Sequence, residues 1–146
     1  MFQEYFFDTL TTHRFQFGHD LFYSHNNFIY ITCKDKQQAQ LIAKQLELSL
    51  KDTASTLGRY GGEEFGIVLS DCNFEQAWII AEKCRMEIER LQLQHAFSTF
   101  GVVTMSLGVA YICPKPGETS DMLIAKADSA LYLAKKNGKN RVERAS

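Results

Sequence analysis

The stretch RYGGEEFGIVL, residues 59–69, limits what this chain can fold into more than any other. Two β-type runs flank a Gly-Gly pair, and a tight turn that matches strand twist needs positive φ, which glycine adopts at least cost. A β-hairpin is therefore predicted, with Gly61 and Gly62 at its turn and Glu63 and Glu64 directly after them. Glycine has no Cβ, so a ligand can approach its backbone N–H group, a good donor to phosphate. In a strand Glu63 and Glu64 point to opposite faces and need not share one task. One carboxylate beside a phosphate-sized space suits Mg2+, which usually takes one or two carboxylates together with substrate phosphates and waters. On spacing alone, the plain alternative is a surface hairpin with solvated glutamates.

The hairpin sits in a chain of 146 residues, enough for one domain with a substantial core. Hydrophobic residues make up 45% and charged residues 23%, a soluble globular profile. The net charge of −1 comes with no lysine- or arginine-rich block, so a broad nucleic-acid or anionic-membrane footprint is not supported. An anionic ligand must then be held by a few placed groups. No apolar run reaches membrane-spanning length, and MFQEYFFDTL lacks the basic start of a signal peptide. Cys33, Cys72, Cys84 and Cys113 form no CxxC pair and read as reduced packing residues of a cytoplasmic protein. His13, His19, His25 and His95 lack ligand spacing and read as surface or core residues.

Residues 37–50 carry helical apolar spacing at Ala39, Leu41, Ile42, Leu46 and Leu50. After the hairpin, Asp71 or Asn73 is expected to cap a helix whose buried face is Ala77, Ala81, Cys84, Ile88 and Leu91, flanked by Trp78. Residues 101–112, GVVTMSLGVAYI, read as a buried β-run. Ser120 is expected to cap a last helix with Leu123, Ala127, Ala130, Leu131 and Ala134 inside, Lys135 and Lys136 in its last turn, and Asn137-Gly138 as its stop. Upstream, NFIYITC at 27–33 is the best strand, while FFDTL and DLFY are helical or extended. These elements predict a single sheet with packed helices, an α/β or α+β fold.

RYGGEEF resembles the signature of GGDEF-domain diguanylate cyclases in its GGEEF form, and TMSLGVA and KADSALYLAKKNGKNRV resemble two later motifs of that family in the same order. The resemblance is good over 37–146, and 1–36 is shortened or diverged, within a single domain spanning 1–146. It implies a palm-like, nucleotidyl-cyclase-like sheet and the condensation of two GTP molecules into cyclic di-GMP with release of pyrophosphate. It also implies a homodimer, each half presenting one GTP, and Mg2+ as cofactor with Mn2+ as an alternative. Glu63 matches the metal-binding carboxylate and Glu64 the second signature acid; Gly61 and Gly62 match the glycines that let the nucleotide approach. Lys135 matches a phosphate-contacting lysine, and Lys139 stands where arginine is usual, keeping the charge but losing the planar fork. Taken alone, Lys135 is also explained as a cation that compensates a helix C-terminus. An RxxD product-inhibition motif is replaced by Asp52 and Ser55, so feedback binding of cyclic di-GMP there is not expected.

The N-terminal part admits two registers. In one, DLFYSHNN matches a DxFKxxND segment, Asn26 and Asp35 take the guanine-contacting positions, the first metal aspartate falls on Gly18, and FIYITC serves as a loop. In the other, DTLTTHRFQF is a shortened opening, FIYITCKD is the metal-bearing strand with Cys33 or Asp35 near the aspartate position, and the guanine segment is missing. Asp20 is a further candidate for a second metal ligand. Two functions stay open: the cyclase itself, or a non-catalytic GGDEF module that binds GTP or a protein partner in cyclic di-GMP signalling.

Overall fold

The computed structural model describes residues 26–32, 38–59, 64–113 and 115–146. Among the described residues five strands form one sheet: β1 (Asn26–Thr32), β2 (Ser55–Arg59), β3 (Glu64–Ser70), β4 (Ser106–Ile112) and β5 (Val142–Arg144). The helices among them are α1 (Ala39–Leu50), α2 (Phe74–Arg90) and α3 (Ser120–Lys136). The strand order is β2-β3-β1-β4-β5, with β4 and β5 parallel and the other pairs antiparallel. The sheet with packed helices is thus the α+β arrangement predicted, and NFIYIT is its central strand rather than a loop.

Alternation along the strands sorts the side chains onto two faces. Ile29, Ile31, Phe65, Ile67, Leu69, Leu107 and Val109 join α1 and α2 in the larger core cluster. Val68, Ala110 and Ile112 meet Leu123 and Ala127 of α3 on the other side. All five predicted inward residues of α3 are buried. In α2 the face is Ala77, Ala81, Cys84 and Ile88, with Leu91 half-buried just beyond the helix.

Local chemistry sets the boundaries. Asn73 caps α2 through a complete capping box: its Oδ1 accepts from Gln76 N at 2.9 Å, and Gln76 Oε1 accepts from Asn73 N at 2.9 Å. Asp71, the other candidate, instead turns the chain with φ 55°. The last β2–β3 pair among the described residues is Arg59 with Phe65, and the predicted turn at Gly61 and Gly62 lies outside them. Two expectations need correction. The strand predicted over 101–112 begins only at Ser106, since Val103 N donates to Leu93 O and residues 94–102 close a separate bridge. The N-cap of α3 is Thr119, and Ser120 is already helical. FFDTL, DLFY and the 8–17 opening lie outside the described residues. Among those described, no helix is long and apolar enough to cross a membrane.

Candidate active site

The register of three strands brings one acid to the site. Thr32 pairs with Glu64 on one side and with Ser106 on the other, so the starts of β3 and β4 and the end of β1 share one end of the sheet. Glu64 and Ser106 are two strand spacings apart, roughly 10 Å. By alternation both stand on the face that carries Val68 and Ala110, the face covered by α3. Ser106 is buried and Glu64 half-buried.

Helix α3 brings the cations. Gly108, two residues after Ser106, lets the helix come down onto the strand: a Cβ there would stand 2.1 Å from Ala127 O and 2.3 Å from Leu131 N. The helix then delivers Lys135 in its last turn, beside the sheet end that holds Ser106. Lys139 follows three residues after the helix, with its N–H donating to Ala134 O at 2.9 Å, one bond of a Schellman-type ending in which Asn137 N donates to Leu133 O at 2.8 Å. Asn137-Gly138 therefore stops the helix as predicted, with Gly138 at φ 119°.

Lys135 and Lys139 line a cavity of about 120 Å³ together with Ser106, Thr104, His95 and Phe100. Among the described residues that line it, none is acidic. Two primary ammonium groups, several hydroxyls and an imidazole around a small space are suited to a multiply charged oxyanion. His95, read as a surface or core residue, is half-buried and lines this cavity, as do hydroxyl residues of 98–106, none of which was expected there. The signal in the sequence was the density of Ser, Thr and aromatic residues in HAFSTF, 95–100, just before the predicted β-run.

The remaining predicted residues divide by position. Gly61, Gly62, Glu63, Cys33, Asp35, Gly18 and Asp20 lie outside the described residues. Asn26 begins β1 opposite Ser70, roughly 20 Å along the strand from Thr32, so it is not brought together with Glu64 or the lysines. Among the described residues no three His, Cys, Asp or Glu side chains gather as a metal cluster.

The family described as "Diguanylate cyclase, GGDEF domain" matches residues 36–141. The chain is 39% identical over 85 residues to Diguanylate cyclase DosC of Escherichia coli (strain K12), covering 58% of this chain and 18% of that protein. It is 37% identical over 108 residues to Diguanylate cyclase VdcA of Vibrio cholerae serotype O1, covering 73% and 31%. It thus spans under a third of the length of these relatives. The fold is shared with the GGDEF domain of DgcB from Caulobacter crescentus solved with c-di-GMP, at TM-score 0.67 and 20% identity over 98% of this chain and 87% of that one. It is shared also with the active GGEEF domain of a diguanylate cyclase from Vibrio cholerae, at TM-score 0.66 and 23% identity over 99% and 94%. With the motifs, the sheet and the family match in agreement, the chain belongs to the GGDEF domain family of diguanylate cyclases.

Proposed function

We propose that this chain condenses two GTP molecules into cyclic di-GMP and releases pyrophosphate. The observation that carries the reading is the cavity in which Lys135 and Lys139 meet Ser106, at the end of the sheet where Glu64 stands. Its volume of about 120 Å³ is below the ~300–1000 Å³ typical of a pocket that encloses a whole small molecule. It suits a polyphosphate tail, with ribose and base held outside it.

In each half-reaction the 3′-oxygen of one nucleotide bonds to the α-phosphorus of the other, and the bond from that phosphorus to the pyrophosphate oxygen breaks. Lys135 and Lys139 bind the outer phosphates and stabilise the charge that grows on the departing pyrophosphate, as fixed charges do effectively in a partly enclosed site. Gly61 and Gly62 let the nucleotide approach the backbone, and Glu64 is the second acid of the site. Because one cavity of this size takes one polyphosphate, the two nucleotides come from two copies of the chain facing each other, a homodimer. A substrate of this kind places the reaction in the cytoplasm.

The donor chemistry suits a hard divalent cation, since Glu64 opens β3 directly after Glu63, and β1 ends across from it three residues before Asp35. Glu63 and Asp35 would hold Mg2+ or Mn2+ through carboxylate oxygens, and the ion when bound neutralises phosphate charge. The strand FIYIT, which ends beside Glu64, favours this acidic role for Asp35 over a guanine contact.

Incubation with GTP and Mg2+, followed by chromatography, is expected to yield cyclic di-GMP and pyrophosphate. A folded, dimeric sample that forms neither overturns the reading. Glu64→Ala is expected to lower turnover at least about 100-fold with an unchanged melting temperature, the scale typical of removing one charge-stabilising group from an active site. Unaltered turnover in that variant removes the GGEEF signature from the active site.

A further inference from the structure

The segment that carries Lys139 is held in an unusual backbone. Gly138, Lys139 and Asn140 have φ of 119°, 63° and 44°, three left-handed residues in a row, of which only the first is glycine. A non-glycine residue in that region costs on the order of 1 kcal/mol and persists only where its surroundings over-determine it. The Schellman-type ending accounts for the first of the three. It gives no reason for Asn140.

The Asn140 side chain supplies one. Its Oδ1 accepts from Arg85 Nη1 at 3.0 Å, and its Nδ2 donates to Glu89 Oε1 at 2.9 Å. Both partners are on α2, across the sheet edge from α3 and more than 50 residues away in sequence. Arg85 is in turn fixed by Glu82 Oε2 at 2.9 Å and Glu89 Oε2 at 2.9 Å. Its side chain is only 16% exposed. Burial works against its charge, yet the hydrogen bonds to Glu82 and Glu89 outweigh that and raise its pKa above the usual value. A flat fork that serves three acceptors at once is a task a lysine cannot take over. None of these four residues lines the lysine cavity.

We propose that Arg85 and Glu89 clamp Asn140 so that the neighbouring Lys139 is held in a left-handed backbone facing the phosphate cavity, making the three of them positioning residues for substrate. The inference rests on the reading of that cavity as a phosphate site. With the clamp in place, Lys139 is aimed before any ligand arrives. Without it, Asn140 returns to an ordinary right-handed or extended backbone and Lys139 is released from the cavity wall. The clamp thereby ties α2, on one face of the sheet, to a cation that serves the other face.

The test is a double-mutant cycle read by calorimetric binding of inorganic pyrophosphate with Mg2+ to the full 146-residue chain. Asn140→Gly is the variant of choice, since glycine keeps the left-handed backbone allowed while removing the clamped side chain. Its binding is expected to weaken roughly three- to tenfold, and Arg85→Ala should do the same. Combined with Lys139→Ala, Asn140→Gly is expected to add no further loss, because its effect runs through Lys139. Losses that add, or full affinity in Asn140→Gly, overturn the positioning role. Full affinity in Lys139→Ala, or no binding by the parent chain, overturns the phosphate reading itself and the clamp's purpose with it.

Discussion

The two faces of the sheet are built from different materials. On one, α1 and α2 lie over branched and aromatic side chains: Ile42, Leu46 and Ile88 meet Ile29, Ile31, Phe65 and Ile67. On the other, α3 presents Ala127, Ala130 and Ala134 and settles onto Gly108 at backbone distance. A thick layer of large side chains can lose a methylene and partly relax. A helix resting on strand backbone has no slack. The thick face holds the molecule together, and the thin face fixes where Lys135 and Lys139 stand relative to Glu64.

The most severe test of that contrast is Gly108→Ala. Its Cβ would collide with Ala127 O and Leu131 N, which are backbone atoms that cannot swing aside. Overpacking of this kind costs on the order of 3 kcal/mol or more, and the displaced helix should carry its lysines with it. Pyrophosphate binding is expected to fall further than the fraction folded does, and equal falls would show that α3 does not set the cavity.

Ile67→Ala, fully buried on the thick face, is expected to cost about 2–4 kcal/mol in chemical denaturation. Pyrophosphate affinity per folded molecule should be unchanged. A loss of affinity there would mean that the two faces are not separable in the way their packing suggests.

Cys84 offers a smaller, pH-dependent probe of the thick face. Burial pushes its thiol from an ordinary 9.0 up to about 12. Because the folded pKa is raised, folding favours the neutral thiol: the contribution is complete below about pH 9 and is lost as pH rises toward 12. The difference of three units corresponds to at most ~4 kcal/mol, reached only at the top of that window. Stability measured from pH 8 to 11 is expected to fall more steeply in the parent than in Cys84→Ala, and parallel curves would show that the thiol titrates freely.

Legibility from sequence followed the same divide. The inward faces of α2 and α3 have a strong 3.6-residue period, and both emerged as predicted, with the Asn73 box marking one start and Gly138 one stop. The place of Lys135 in the last turn of α3 was legible because motif and helix end coincide. β5 was missed, since Val142–Arg144 has three residues, one of them buried, and is a strand only because β4 offers it a partner. The Arg85–Asn140 clamp was invisible for a related reason: its members are 55 residues apart, and each has a sufficient local explanation on its own. The registers at 8–36 stayed open because FIYITC reads as a strand while its flanking residues match a loop motif. Pairing to both β3 and β4 makes 26–32 a strand.

That central position has a consequence for how the chain reaches its native state. Every ladder bond of β1 joins it to residues at least 32 positions later, from Thr32 with Glu64 to Asn26 with Ile112. The strand synthesised first among the five can be seated only after the hairpin partner β3 and the distant β4 both exist. Such non-local closure slows folding, and until it happens β3 and β4 each present an unpaired, apolar edge. The vulnerable species of this protein is therefore two separate ribbons, β2–β3 and β4–β5, waiting for the middle strand that joins them, and crowding in that interval favours edge-to-edge association over closure.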